Sequence, residues 1–284
     1  MNKIAILGPG KTFSDTACTE YERITKTTWE RVYFRNITET MMAVGELEYG
    51  ILPIENTLEG FVQQHLDLLL EYDLIIEAEL DLPIAFSLIS HVPMEQMETV
   101  YVQYSAKNQC MLFLRQHPNL KVVVSESNGE SFQLFQSDVR SAAIVPKHIY
   151  EAFDHAFGIE NVADESQNYT RFLVVRTNKN QTLLVQAKTR IKVSLVIMPT
   201  HDRPGLLFDI LKVFAKNQIN LVSIMSRPTK KQMGHYHFFL ELEGVAEQLP
   251  FIQTVLDDLG KNFEIRTLGI YQNITNDMAK TIIN

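Results

Sequence analysis

Lys3-Ile4-Ala5-Ile6-Leu7-Gly8-Pro9-Gly10-Lys11-Thr12-Phe13-Ser14 opens the chain with a short apolar run, a double break and a helix start. Ile4 to Leu7 reads as a buried-type strand, since a run this short bounded by Gly and Pro suits a strand. From Thr12 to Tyr21 a helix is expected, with Ser14 or Asp15 in its first turn. The same unit recurs downstream. Helices are expected over Thr38 to Leu47, Gly60 to Tyr72, Ala106 to Gln116, Ser131 to Gln136 and Lys147 to Phe153. Tyr49 to Ile54, Leu74 to Leu80, Ile84 to Ser90, Thr99 to Gln103, Lys121 to Ser125, Ala142 to Val145 and Thr170 to Arg176 read as strands. Short strands alternating with helices of about ten residues imply an α/β architecture with mainly parallel sheets.

Thr177 to Gln181 is polar and reads as a linker, and beyond it the order changes. Ile191 to Met198, Leu221 to Arg227, His235 to Glu243 and Phe263 to Ile270 read as strands, with helices over Gly205 to Asn217 and Leu249 to Leu259. That β-α-β-β-α-β order is ferredoxin-like. The chain therefore divides into a unit at 1–180 and a smaller one at 188–272, with fraying expected from about Thr275.

The balance of 26 Lys and Arg against 34 Asp and Glu gives a net charge of −8. An acidic surface repels phosphate backbones and anionic lipid, so neither nucleic acid nor membrane is an expected partner. An anionic substrate has to be attracted locally, by placed cations and backbone N–H groups. Cys18 and Cys110 stand far apart without metal-ligand spacing, which fits a reducing cytosol. Neither a signal peptide nor a membrane span is expected, because every apolar run is short.

Gly10-Lys11-Thr12 after a strand invites a phosphate-loop reading, but Ala5 occupies the place of the motif's first glycine. A strand-to-helix turn of this kind still offers N–H groups and a partial positive charge to a carboxylate, with the Thr12 and Ser14 hydroxyls beside it. It reads equally as a plain capped turn. Pro53-Ile54-Glu55-Asn56-Thr57-Leu58-Glu59-Gly60 sets polar groups at the carboxyl end of a strand, where open α/β sheets place their crevices. Asn56 would orient a substrate there, or the segment simply caps a helix through Thr57. In Asn168-Tyr169-Thr170-Arg171-Phe172, Thr170 opens a strand and offers a weakly acidic hydroxyl, and Arg171 suits a bidentate carboxylate pair. A strand start with a surface ion pair explains the pentapeptide as well.

Taken in order, Gly8-Pro9 with Thr12-Phe13-Ser14, Pro53 to Asn56 with Glu59-Gly60, and Asn168 with Thr170-Arg171-Phe172 resemble the prephenate dehydratases. Arg203-Pro204-Gly205-Leu206-Leu207 and Ser226-Arg227-Pro228 are similar to the two effector motifs of that family's ACT domain. The resemblance spans about residues 3 to 270. It implies two α/β lobes arranged like a periplasmic binding protein, with prephenate in the cleft and a C-terminal ACT domain. The reaction would expel the ring hydroxyl as water and the ring carboxylate as carbon dioxide, giving phenylpyruvate. Thr170 is the implied acid or hydrogen-bond donor, and Thr12, Ser14, Asn56, Gln109, Ser127, Arg171 and Phe172 the implied substrate-binding residues. One hydroxyl donor suffices for so downhill a reaction, so neither metal nor cofactor is implied. The ACT domain would bind L-phenylalanine at a subunit interface through Asp202, Gly205, Leu206, Asn220, Leu221, Met225 and Ser226, in a homodimer or homotetramer.

The chain departs from the family pattern at Gly10-Lys11, Tyr104-Ser105, Ser127-Asn128-Gly129 and Met225. Lys11 and Asn128 bear on the carboxylate site and Met225 on the effector response. An arogenate dehydratase, a non-aromatising prephenate decarboxylase and a catalytically silent amino-acid sensor are the competing readings.

Overall fold

The computed structural model describes residues 2–177, 189–230 and 235–275. Most of the expected linker at 177–181, and the expected fraying end beyond 275, lie outside the described residues.

The first lobe contains β1 (Lys3–Leu7), α1 (Phe13–Thr25), β2 (Glu30–Phe34), α2 (Ile37–Leu47), β3 (Tyr49–Asn56), β4 (Gly60–Phe61), α3 (Gln63–Glu71) and β5 (Leu74–Pro83). The second contains β6 (Phe86–Ser90), β7 (Thr99–Gln103), α4 (Tyr104–Gln109), α5 (Met111–Gln116), β8 (Lys121–Ser125), α6 (Asn128–Gln136), β9 (Ser141–Pro146), α7 (Lys147–Ala152) and β10 (Phe157–Ile159). The chain then returns to the first lobe as β11 (Tyr169–Thr177).

The first-lobe sheet has the order β2-β1-β3-β11-β5, and the second-lobe sheet β10-β6-β9-β7-β8. Both are mixed rather than mainly parallel. β1 runs parallel to β2 and β3, but β11 is antiparallel to β3 and β5. In the second lobe β7 is parallel to β8 and β9, whereas β6 pairs antiparallel with β9 and β10. The antiparallel strands β5, β6 and β11 are those that carry the chain between lobes, so the crossover itself breaks the parallel order.

Two helix boundaries differ from expectation for visible reasons. The helix expected from Gly60 starts at Gln63, because Gly60 adopts φ +77° and Phe61 pairs with Glu55 as β4. The helix expected over 106–116 is two helices meeting at Cys110. The Asp164 carboxylate accepts hydrogen bonds from Met111 N–H (3.0 Å) and Leu112 N–H (2.9 Å), which caps α5 as a new helix. β2 and β10 were not anticipated.

The C-terminal unit is β12 (Arg190–Met198), α8 (Leu206–Lys216), β13 (Asn220–Pro228), β14 (Tyr236–Val245), α9 (Leu249–Gly260) and β15 (Glu264–Tyr271), an antiparallel sheet of order β13-β14-β12-β15. The ferredoxin-like order is thus observed. Ile191, Val193, Leu195 and Ile197 point to α8 and α9, while Val196, Phe239, Leu268 and Tyr271 point the other way and join the first-lobe core. Strand alternation therefore supplies two apolar faces, one for the domain's own helices and one for docking. β15 reaches β5 so closely that a Cβ on Gly269 would lie 2.4 Å from the Ile76 carbonyl oxygen. No helix among the described residues is long and apolar enough to cross a membrane.

Candidate active site and C-terminal domain

β11 decides which side chains share a face. Thr170, Phe172 and Val174 alternate with Arg171, Leu173 and Val175. Phe172 and Val174 join the core shared by the two lobes, and Leu173 and Val175 the core shared with the C-terminal domain.

Thr170 is the register partner of Asn56 at the end of β3. Asn56 Nδ2 donates to Thr170 Oγ1 (3.0 Å), Asn168 Oδ1 (2.8 Å) and the Tyr169 carbonyl (3.2 Å). Its Oδ1 accepts from the N–H groups of Leu58 (2.9 Å) and Glu59 (3.2 Å). Two backbone donors on Oδ1 fix the amide orientation, so the group facing Thr170 is the NH2. Thr170 Oγ1 is thereby an acceptor toward Asn56, and its own proton has no acceptor among the described residues. A donor held against the oxygen also stabilises negative charge developing there.

The amide chain continues across the lobes. Asn168, 2% exposed, donates from Nδ2 to Oε1 of Gln109 on α4 (2.8 Å), and its carbonyl accepts from Ile84 N–H (2.8 Å) at the crossover. Gln109 Nε2 donates to Glu59 Oε1 (3.2 Å) and Ser105 Oγ (3.3 Å), and Ser105 Oγ donates to Glu59 Oε1 (2.6 Å). One polar thread thus joins Thr170, Asn56 and Glu59 of the first lobe to Gln109 and Ser105 of the second through Asn168. An open cavity of about 540 Å³ borders it, walled partly by Glu59, Asp164 and Glu165. Those carboxylates make it a poor seat for an anion. Asn168, Glu59 and Ser105 were not among the expected substrate-binding residues. For Asn168 the available signal was its place two residues before Thr170.

Thr12, Ser14 and Ser127 form a second group at helix N-termini. Thr12 caps α1, its Oγ1 accepting from Asp15 N–H (3.4 Å), and Ser14 is buried in the first turn. Ser127 caps α6 by accepting from Glu130 N–H (3.1 Å). Lys11 lies between them in the left-handed region (φ 64°), with its ammonium 5.8 Å from the Phe132 ring centroid of α6. Its carbonyl accepts from His148 Nε2 (3.0 Å), and His148 Nδ1 meets Thr16 Oγ1 (3.1 Å). Burial depresses the His148 pKa more than the Lys11 carbonyl restores it, which favours a neutral imidazole at this interlobe contact. The N-terminal ends of α1 and α6 thus belong to opposite lobes, and Lys11 reaches from the start of α1 toward Phe132, one turn into α6. No hydrogen bond joins this group to the Thr170 thread among the described residues.

Arg171 and Phe172 do not reach the cleft. Phe172 is 1% exposed and packs in the core. Arg171, on the reverse face of β11, forms a bidentate pair with Glu241 of β14 (Nη1 to Oε2 2.8 Å, Nη2 to Oε1 2.9 Å). Glu79 Oε2 lies 3.3 Å from Nη1 and Glu55 Oε2 3.4 Å from Nε. Burial lowers the Arg171 pKa, but Glu241 and Glu79 outweigh it and hold the guanidinium charged. Period-two alternation makes it impossible for Thr170 and Arg171 to serve one site from a straight strand.

In the C-terminal domain Gly205 adopts φ +83° ahead of α8, a conformation that favours glycine. Leu206 lines two cavities flanking this turn, one of about 550 Å³ with His201, Arg203 and Asp209, and a small one with Asp202, Tyr236 and Phe238. Ser226 is the register partner of Phe238, and Leu221 packs on the helix side of the sheet. Asn220 opens β13, exposed, opposite Glu243. Met225 is separated from the others. It faces the first lobe, in the apolar seam lined by Ile54, Phe61 and Leu66; alternation turns it away from its neighbour Ser226, and the register shift between Leu221 and Ser223 puts it on the face opposite Leu221.

The prephenate dehydratase family profile matches residues 4–180, and the ACT domain profile residues 196–253. The prephenate dehydratase of Bacillus subtilis is 31% identical over 287 residues, covering 95% of this chain and 99% of its own. The crystal structure of the Staphylococcus aureus prephenate dehydratase aligns with a TM-score of 0.79 at 31% identity, over 95% of this chain and 99% of that one. The Arthrobacter aurescens prephenate dehydratase in complex with L-Phe aligns with a TM-score of 0.81 at 28% identity, over 96% and 90% of the two chains. Two α/β lobes, the ordered motifs and the appended ACT domain agree with these matches: the chain belongs to the prephenate dehydratase family.

Proposed function

We propose that this chain converts prephenate to phenylpyruvate, water and carbon dioxide, with residues 1–180 as the catalytic unit and 188–272 as a regulatory ACT domain that binds L-phenylalanine. The observation that carries the reading is the Asn56–Thr170 hydrogen bond, which leaves the Thr170 proton unengaged beside the interlobe thread. In the reaction the bond between the ring and its carboxylate breaks, and its electron pair enters the ring. The ring C–O bond breaks as the hydroxyl leaves, and Thr170 donates the hydrogen bond or proton that lets it depart as water. Asn56 Nδ2 stabilises the charge left on Oγ1. The threonine then regains a proton from solvent. Aromatisation supplies the driving force, so orientation and a single donor are sufficient.

With Arg171 engaged elsewhere, the substrate carboxylates are assigned to the N-terminal ends of α1 and α6, with Thr12, Ser14 and Ser127. The L-Phe complex of the Arthrobacter relative supports the effector. The edge strand β13, with Val222 and Ile224 more than 40% exposed, supports pairing with a second copy in a homodimer or homotetramer.

The test is the rate of phenylpyruvate formation from prephenate by the native chain, Thr170→Ser and Thr170→Ala, with and without phenylalanine. The alanine variant is expected to lose about 10²–10⁴-fold in kcat, the serine variant much less. A native chain that forms no phenylpyruvate overturns the assignment, and phenylalanine binding without turnover identifies a sensor instead.

A further inference from the structure

We propose that Glu241, in the C-terminal domain, is a positioning residue for the reaction, acting through Arg171 on Thr170. The inference rests on the dehydratase reading and names a link within it that the sequence motifs do not contain.

Arg171 follows Thr170 directly on β11, and the two side chains leave opposite faces of that strand. The pair formed by Arg171 and Glu241 is bidentate, with both residues nearly buried (11% and 12% side-chain exposure). Bidentate geometry constrains the guanidinium plane as well as its distance, which a single contact does not. The Phe61 ring lies 5.4 Å from the guanidinium and closes another side of it. Glu241 is itself held, since Ser194 Oγ and Tyr271 OH each approach its Oε1 at 3.3 Å, and these two hydroxyls bond one another at 2.7 Å. Lys192 of β12 completes the cluster from the same domain by donating to the fully buried Glu79 (2.7 Å).

The backbone of β11 at 170–171 is therefore clamped from both faces, by Asn56 on the cleft side and by Glu241 on the domain side. Between Arg171 and Phe172 the pairing with β3 shifts register while that with β5 stays regular from Tyr169 to Val174, so this point of the strand is braced by the ladder on one edge and irregular on the other, the edge that carries Asn56. Glu241 also pairs in register with Ser223 of β13, the strand whose ends carry Asn220, Leu221 and Ser226 of the expected effector site. A change in β13 on effector binding reaches Thr170 through one strand, one ion pair and one peptide unit.

The experiment uses the full chain and prephenate, with phenylpyruvate as the readout. Glu241→Gln removes the charge and keeps the size, and Glu241→Asp keeps the charge with a shorter reach. Displacement of Thr170 without loss of substrate contacts lowers kcat by about ten- to hundredfold in the glutamine variant. KM stays within about twofold, and the aspartate variant is intermediate. The response to phenylalanine falls in the same order. Tyr271→Phe, which removes only a hydroxyl from the cluster, keeps the test open if the charge change prevents folding. Its kcat is expected to fall about twofold or more. Native kcat in the folded variants, with only a lower melting temperature, overturns the proposal and leaves the pair as a docking contact. Absence of turnover by the native chain is a separate failure, that of the dehydratase reading.

Discussion

Asn168→Asp exchanges one amide NH2 for a carboxylate oxygen at a site only 2% exposed. Nδ2 of Asn168 is the donor to Gln109 Oε1, so the change sets two acceptors 2.8 Å apart. Rotating the Gln109 amide does not relieve this, because it turns Oε1 onto the Glu59 carboxylate that Nε2 now serves. The cheapest escape is protonation. A neutral carboxyl donates its O–H to Gln109 and still accepts from Asn56 at its carbonyl oxygen. The cost of holding that proton sets a ceiling on destabilisation, about 5 kcal/mol at pH 7.5 and about 1.5 kcal/mol at pH 5, from 1.36 kcal/mol per unit above an ordinary aspartate. The sign follows from proton uptake. The folded variant binds a proton that its unfolded chain has released, so its stability falls as pH rises above the aspartate range toward the raised folded pKa. Denaturant midpoints of native and variant protein at both pH values give the difference, with the native protein's own pH dependence subtracted. The variant's deficit should be about 2–3 kcal/mol larger at pH 7.5. Glu59→Gln in the same background supplies an NH2 for the rotated Gln109 amide and should recover part of it. An equal deficit at both pH values refutes the reasoning, because the new carboxylate then finds a donor that the closed thread does not contain.

Gly269→Ala should push β15 off β5, because the new Cβ would meet the Ile76 carbonyl at 2.4 Å. A loss of about 1–3 kcal/mol is expected, read by thermal or denaturant unfolding, with faster proteolysis as the domain loosens. Asp15 is raised by burial but lowered more by hydrogen bonds from Tyr33 OH, Lys11 N–H and Arg31, leaving it below the usual aspartate value. Its contribution is therefore present above about pH 4 and lost as pH falls through its folded pKa, so Asp15→Asn should flatten the acid limb of the stability profile.

Apolar runs and their Gly and Pro punctuation determined from sequence alone where nearly every strand of both units lies, because local periodicity is a property of neighbours. The ordered motifs likewise singled out Thr170, Asn56, Thr12 and Ser14, and the family resemblance they carry added Gln109 and Ser127. What alternation says of Thr170 and Arg171 was also present in the sequence, namely that they face opposite ways. Only the tertiary structure decided what waits on each face. The hydrogen bond from Asn56 to Thr170 spans 114 positions, that from Asn168 to Gln109 spans 59, and the Arg171–Glu241 pair spans 70. The break at Cys110 depends on Asp164, more than 50 positions on. Such partners are chosen by how sheets pack and lobes close, and no window of sequence contains both halves of them. A motif can therefore mark an arginine without revealing that its carboxylate comes from the ACT domain and not from a substrate.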